Sequence, residues 1–475
     1  MAKLQTNQTM LFNSKEKTMA RIRQAGPPVL VVALIAGGIG YIFGCTRTER
    51  ISQSEASAQQ TQSTANQGNA GTKSSPSAKD APLVSPTKPR ERDAYYPNSE
   101  ELGADEMRVI ACGTGMPTTR AAQAAACFLV ELGNGDKFLF DIGTGSAERI
   151  SSLQIPYDFL DKVFIGHLHA DHFGSLPELF IGGALMGRQR PLRVWGPNGP
   201  VPELGTAYAV QKMKEMYTWD LAGRVGLVDF RGYDLEVTEF DYKGLNEVVY
   251  EANGVTIRSF PAIHSLDGPV SFGLEWKGLK FIFGSDTYPN KWFAEYAKDA
   301  DLVVHECFVA VPDLVSKMRF TPEQALLVGT QIHTAPEAFG KVMTEIQPRM
   351  AVAYHFFKDF DTTAAVNDRI RTTYEGPLSL AEDFMVWNIT QDEIRVRMAV
   401  VEEHTWAPPL ASKAELPRDD DRENYSEKMN VPVEDMIYSD FIKKGRWGEV
   451  DGVLRGVYDE ASQALGRKFE YPTSD

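Results

Sequence analysis

Three imidazoles and a carboxylate fall within six consecutive positions, His167-Leu168-His169-Ala170-Asp171-His172, bracketed by Gly166 and by Phe173-Gly174. The chain has only eight histidines in 475 residues, so this density is not background. The apolar run Val163-Phe164-Ile165 in front of it reads as a buried strand, and a helix is expected from near His172. In a regular strand, side chains alternate between faces and these four groups could not converge. At a strand end turning into a helix they can, and imidazole together with carboxylate is a donor set that suits zinc. The segment reads as a metal site, and the rest of the fold has to be built around it.

Length and a hydrophobic content of 43% allow two or three domains and a full core. The formal net charge of −15 argues against a broad polyanion-binding surface, so nucleic acid is not an expected partner. That argument has little force against one small anionic substrate held by metal ions. The four cysteines (Cys45, Cys112, Cys127, Cys307) show neither Cys-x-x-Cys spacing nor a disulfide framework. The last three sit in apolar contexts and are expected to be buried.

Residues 25–44 carry no charge, with Lys15, Lys17, Arg21 and Arg23 before them and Arg47 after. This is the pattern of a signal or membrane anchor. Ile42-Phe43-Gly44-Cys45 resembles a lipoprotein cleavage box, and an uncleaved helix is equally compatible. Either places the remainder outside the cytoplasm, attached to the membrane on the periplasmic side. The expected organisation is an anchor over 1–45, a disordered polar linker over 46–95, a folded core over 96–406 and a mostly helical extension over 407–475. The extension is either a cap on the core or an element of a homodimer.

Within the core, structure is expected from near Met107. Cys127–Leu132 and Lys137–Phe140 read as strands joined by the hairpin signal Gly133-Asn-Gly-Asp136. Later strands deliver His264, Asp286, His305-Glu306 and His355 at their ends, and His333 precedes a helix. Strand ends and loops are where a scaffold concentrates functional groups. Seven histidines are thereby placed, and His404 is left as a surface residue.

The pattern His-x-His-x-Asp-His resembles the signature of the metallo-β-lactamase superfamily. The resemblance implies an α+β fold, a four-layer αββα sandwich with metals at one edge of two packed sheets. Relatives that use iron for redox chemistry carry Glu where this chain has His169, which favours a zinc hydrolase. Order and spacing from about Met107 to Trp406 are similar to the ribonuclease Z and arylsulfatase-like branch. By that resemblance His167, His169 and His264 hold one zinc, Asp171, His172 and His355 hold a second, and Asp286 bridges them. Asp141 is implied as a support behind the ligands. His305-Glu306 and His333-Thr334 resemble the His-Glu-Ala-Thr and His-Ser-Thr motifs of ribonuclease Z, which implies His333 as proton donor and Glu306 as its partner, acting with Asp171 in catalysis. The chain departs from the usual Ser-Gly-Asp-Thr with Gly284-Ser285-Asp286-Thr287, and shows no basic or Gly/Pro-rich arm of the kind that grips transfer RNA in that family. The segments Tyr354–Phe357 and Gly329–His333 also look like those of exported bacterial metallo-hydrolases of the guanitoxin-biosynthesis type.

The expectation is a dinuclear zinc (two per chain) hydrolase of an ester in a small anionic substrate, a phosphodiester or an aryl or alkyl sulfate. A metal-bridging hydroxide is the implied nucleophile and His333 the general acid. The alternatives are a ribonuclease Z-like endoribonuclease, a lactonase or other carbonyl hydrolase, and a non-catalytic zinc-binding envelope protein. The last fits poorly, because structural zinc sites are closed four-ligand cages.

Overall fold

A computed structural model describes residues 93–224, 228–410 and 440–471. The expected anchor and nearly all of the expected linker lie outside the described residues. No helix among the described residues is long and apolar enough to cross a membrane.

Among the described residues, sixteen strands form two sheets. The first contains β1 (Ala94–Tyr95), β2 (Met107–Gly113), β3 (Cys127–Leu132), β4 (Lys137–Phe140), β5 (Lys162–Phe164), β6 (Leu192–Pro197), β7 (Leu235–Phe240), β15 (Met385–Ile389) and β16 (Ile394–Ala399), in the order β1-β16-β15-β2-β3-β4-β5-β6-β7. The second contains β8 (Glu247–Ala252), β9 (Val255–Pro261), β10 (Val270–Trp276), β11 (Leu279–Phe283), β12 (Leu302–Glu306), β13 (Met350–Tyr354) and β14 (Leu378–Leu380), in the order β14-β13-β12-β11-β10-β9-β8. Each sheet has an antiparallel part built from hairpins and a parallel part, β4 to β7 in one and β11 to β14 in the other. Parallel neighbours need crossovers. Helices Ser146–Ser152, Leu176–Leu185, Thr206–Met216, Lys291–Tyr296, Pro336–Ile346 and Phe360–Ile370 supply them.

Strand alternation assigns the layers. In β5, Phe164 joins the cluster between the sheets, with Phe128 and Phe140 from its own sheet and Phe272, Phe281 and Phe283 from the other. Val163 and Ile165 point the opposite way, toward Ile150, Leu176 and Leu179 of the covering helices. On the second sheet Val303, Ala351 and Ala353 face Phe293, Phe339, Met343 and Val366. The result is the expected four-layer αββα arrangement. Each fully buried Phe contributes about 1.5–3 kcal/mol of transfer free energy, so the aromatic inner layer fixes how the two sheets face one another.

One element was not expected. Ala94–Tyr95 pairs in parallel with Met398–Ala399, inside the last two residues of the predicted linker. Tyr95 is buried, with the Arg108 guanidinium 4.3 Å from its ring centroid and Arg108 Nη1 donating to its hydroxyl at 3.0 Å. Two residues carry no periodicity; contacts distant in sequence hold this strand. In the C-terminal extension the described residues form helices Asp440–Gly445 and Asp451–Leu465.

Candidate metal centre

The parallel strands of both sheets end at one edge of the sandwich, and ligand-type residues follow directly. Asp141 follows β4, His167 lies three residues past β5, Asp286 three past β11, and His355 follows β13, while Glu306 is the last residue of β12. Carboxyl ends of parallel strands are where open α/β sheets bind ligands. The glycines that bracket the signature are required by close approach. A Cβ on Gly166 would lie 2.3 Å from Ser285 Oγ, and one on Gly174 would lie 2.4 Å from the Ala170 carbonyl oxygen. Alternation along β12 separates its last two residues: Glu306 faces the site with Leu302 and Val304, whereas His305 turns outward with Val303. His305 packs edge-on against Phe293 and Phe339, and its Nδ1 bonds the Glu306 carbonyl at 2.6 Å. It is a core residue, and His404 is exposed.

All seven residues expected as metal ligands converge. They form two four-residue sets, His167–His169–His264–Asp286 and Asp171–His172–His355–Asp286, in each of which the donor atoms lie within 4.8 Å of one another. In the first set His169 Nδ1 is 3.1 Å from His167 Nε2 and 3.2 Å from His264 Nε2. Asp286 Oδ2 lies 3.9 and 3.7 Å from the same two nitrogens. In the second, Asp286 Oδ1 lies 3.2 Å from His172 Nε2 and 3.3 Å from His355 Nε2, while Asp171 Oδ2 lies 3.5 and 3.1 Å from them. Asp286 thus turns one oxygen to each set.

This donor set fits zinc. Ligand atoms about 2.0–2.1 Å from a tetrahedral zinc sit roughly 3.3–3.4 Å apart, close to the observed separations. Asp171 Oδ1, His172 Nε2 and Asp286 Oδ1 are buried without a hydrogen-bond partner, which is costly unless a cation takes up their lone pairs. Burial pushes the His167 imidazolium well below its ordinary range and His264 down to about 4, so both rings are neutral and able to ligate near neutral pH. Burial alone would raise the Asp171 carboxyl, but His172 and His355 outweigh it and hold it well below the usual range.

Behind the ligands, Asp141 accepts at Oδ2 from His172 Nδ1 at 2.6 Å and at Oδ1 from the Gly166 amide at 2.7 Å. Sequence reasoning missed its neighbour Ser285. The Ser285 hydroxyl donates to Asp141 Oδ2 at 2.9 Å and lies 3.2 Å from His167 Nδ1, so His167 can donate to it while Nε2 faces the metal set. One buried carboxylate thereby orients a ring from each set, directly for His172 and through Ser285 for His167. Asp141, Ser285 and His355 all adopt left-handed backbone conformations, with φ of 56°, 51° and 73°. Non-glycine residues held there carry strain that clusters at functional sites. The swapped order Gly284-Ser285 was the available signal, because it places a hydroxyl where the usual motif has none. Ser285→Ala is expected to weaken zinc binding roughly 10- to 100-fold, the usual cost of losing an outer partner, with unchanged circular dichroism. Competition with a chromophoric chelator measures it, and unaltered affinity would show that the relay is idle.

His333 lies beside both sets, its ring centroid 4.8 Å from that of His264 and 5.3 Å from that of His355. Glu306 Oε2 takes its Nδ1 at 2.8 Å, and Glu306 Oε1 accepts from the Thr287 amide at 2.7 Å. Phe308 stacks flat on the ring, with centroids 4.1 Å apart and planes 2° from parallel, a contact no sequence pattern announced. A π-helical turn, Val328–Ile332, delivers His333; such turns recur at functional sites. Burial works against the imidazolium, but the Glu306 carboxylate outweighs it and holds His333 above its ordinary range.

A ribonuclease Z of Mycobacterium marinum is 30% identical over 199 residues, covering 41% of this chain and 67% of its own length. A ribonuclease BN of Escherichia coli O1:K1 / APEC is 30% identical over 233 residues, covering 42% of this chain and 76% of that protein. This chain belongs to the ribonuclease Z family. It is a metal-dependent hydrolase of the metallo-β-lactamase superfamily. Residues 107–316 match the family described as Anti-Pycsar protein Apyc1. Among solved structures, a metallo-β-lactamase fold protein, YhfI of Bacillus subtilis, aligns over 60% of this chain and all of its own, at 18% identity and a TM-score of 0.46.

Proposed function

We propose that this ribonuclease Z family member is a dinuclear zinc hydrolase of small anionic esters, a phosphodiester or an aryl or alkyl sulfate. The observation that carries the reading is Asp286, which turns one carboxylate oxygen to each of two donor sets, with a histidine–glutamate pair alongside. His167, His169 and His264 would hold one ion, and Asp171, His172 and His355 the other. Zinc held there would supply an activated water and positive charge beside the ester oxygens. The protein's own step is at the leaving group. Glu306 fixes His333 through Nδ1, and Phe308 fixes the ring plane, so Nε2 is the nitrogen left to give a proton. As the ester P–O or S–O bond breaks, the departing oxygen keeps the bonding pair and takes that proton.

The relatives' names support a second reading, an endoribonuclease. The net charge of −15 opposes it, since gripping RNA requires a positive footprint. The test loads the full chain with zinc, counts metal by elemental analysis, and screens phosphodiesters, aryl sulfates, lactones and precursor tRNA. About two zinc equivalents are expected, with turnover of small esters. A single equivalent that persists in Asp171→Ala would remove the dinuclear centre. Turnover of lactones alone would point to carbonyl chemistry, and of tRNA alone to the nuclease.

A further inference from the structure

Cys112 and Cys127, both buried and both free, stand on adjacent strands of the first sheet. The register of β2 against β3 pairs Ala111 with Phe128 and then slips, so that Gly113 pairs with Cys127. At such a bulge two residues oppose one, and Cys127 faces both Cys112 and Gly113. Gly113 permits the close approach, since a Cβ there would lie 1.8 Å from the Ala125 carbonyl oxygen. Both cysteines point to the helix-covered side of the sheet, in one cluster with Ile110 and Leu129. Ala111 and Phe128 belong to the opposite face. Cys307 packs in a different cluster, on the second sheet.

Residues opposed across an antiparallel pair have Cα atoms about 4.5–5.5 Å apart, within the roughly 4.4–6.8 Å that a disulfide spans. The chain between the two cysteines is already drawn closed. The Thr114 and Ala124 amides donate to the two oxygens of Asp383, at 3.1 and 2.7 Å. The neighbouring Cys127 thiol, and then burial, push the Cys112 thiol well above its ordinary range. A protonated and covered thiol is a poor nucleophile, so oxidation belongs to folding, before the helices close over the sheet.

We propose that Cys112 and Cys127 join in a disulfide as the chain folds in an oxidising compartment, tying β2 to β3 behind the metal centre. One thiolate attacks the disulfide of an oxidant, small or protein-borne, and expels one of its sulfurs as a thiolate. The other cysteine then attacks the mixed disulfide at the chain's own sulfur and expels the second. The two cysteines give up two protons and two electrons, and the oxidant's disulfide becomes two thiols. The uncharged stretch 25–44, which reads as an export signal, would bring the chain to such an oxidant. The bond lies close behind the ligands. The His355 amide donates to the Thr114 carbonyl at 3.0 Å, and the Gly143 amide donates to the Ala126 carbonyl at 2.8 Å.

The test makes the full chain by cell-free synthesis in detergent, once with oxidised glutathione and once with dithiothreitol. Free thiols are blocked with iodoacetamide in denaturant, and the protein is digested with trypsin without reduction. Cleavage after Arg120 places the two cysteines on separate peptides, 109–120 and 121–137. The oxidised sample is expected to give these peptides joined, lighter by two hydrogens than the free pair, with Cys307 alkylated. The dithiothreitol sample should give both peptides alkylated. The oxidised chain should also melt about 3–6 °C higher, the effect of closing a loop of about 15 residues. That difference should vanish in Cys112→Ala/Cys127→Ala. Alkylation of both cysteines in the oxidised sample, or a bond from either to Cys307 or Cys45, would overturn the proposal. A melting difference that persists in the double variant would overturn the crosslink as its source. Peptide mapping reads the bond in the unaltered chain, so it decides the pairing even where the double variant folds poorly.

Discussion

Replacing His333 with alanine should slow esters with basic alkoxide leaving groups by roughly 10²–10⁴-fold, the reach of general acid catalysis, while zinc content stays at its original level. His333 falls in a further donor set with His264, Asp286 and Glu306, but it is in neither set that holds the signature histidines, and its Nδ1 is taken by Glu306 Oε2 at 2.8 Å. Its loss therefore removes a proton rather than a metal ion. Nitrophenyl esters, whose leaving groups depart as stable anions, should be affected far less. The measurement is the slope of log rate against leaving-group pKa for the parent and His333→Ala, with zinc assayed in both. A steeper slope in the variant is the signature of a lost acid. Parallel slopes at equal zinc would take the acid role away from His333 and favour attack at a carbonyl. Glu306→Gln should steepen the slope more weakly, because the amide still holds the ring but no longer stabilises its charged form.

Asp286→Ala should have the other large effect, on the metal itself. Asp286 is buried and belongs to both donor sets, so one substitution opens both. It also removes the carboxylate that, with Asp171 and Asp141, raises the His172 imidazole against the effect of burial. Zinc should fall from about two equivalents to one or fewer, and turnover should drop by more than the roughly 100-fold that marks the upper range for an outer partner. Elemental analysis after dialysis, alongside circular dichroism, separates metal loss from unfolding. Retention of two equivalents in a folded Asp286→Ala protein would show that the carboxylate does not bridge. Ser285→Ala provides the graded comparison, since Ser285 touches Asp141 and His167 but supplies no ligand.

What was legible from residues alone was the part whose information is local. The strand Val163–Ile165 followed by three histidines and an aspartate in six positions announced both the scaffold and the donor set. The later ligands were implied by the family resemblance, and each follows an apolar run short enough to be a buried strand, so that strand ends at a common edge bring such residues together. His305 and Glu306 show the limit of that reasoning. Both stand at a strand end, yet the pleat sends one to the site and its neighbour into an aromatic core. Which of the two faced inward depended on how the sheets pack.

Tertiary structure alone decided the rest. The split of the Asp286 oxygens between two sets, the Ser285 link from His167 to Asp141, and the stacking of Phe308 on His333 are contacts between different loops. Their distances follow from the aromatic layer that sets the spacing and angle of the two sheets. A cavity beyond His169 draws Leu204 and Tyr208 from one part of the chain and Leu266 from another. A sequence determines that such residues are apolar. Only the folded chain determines that they leave a space between them, because a cavity is a property of surfaces that meet across a fold and no single segment contains it.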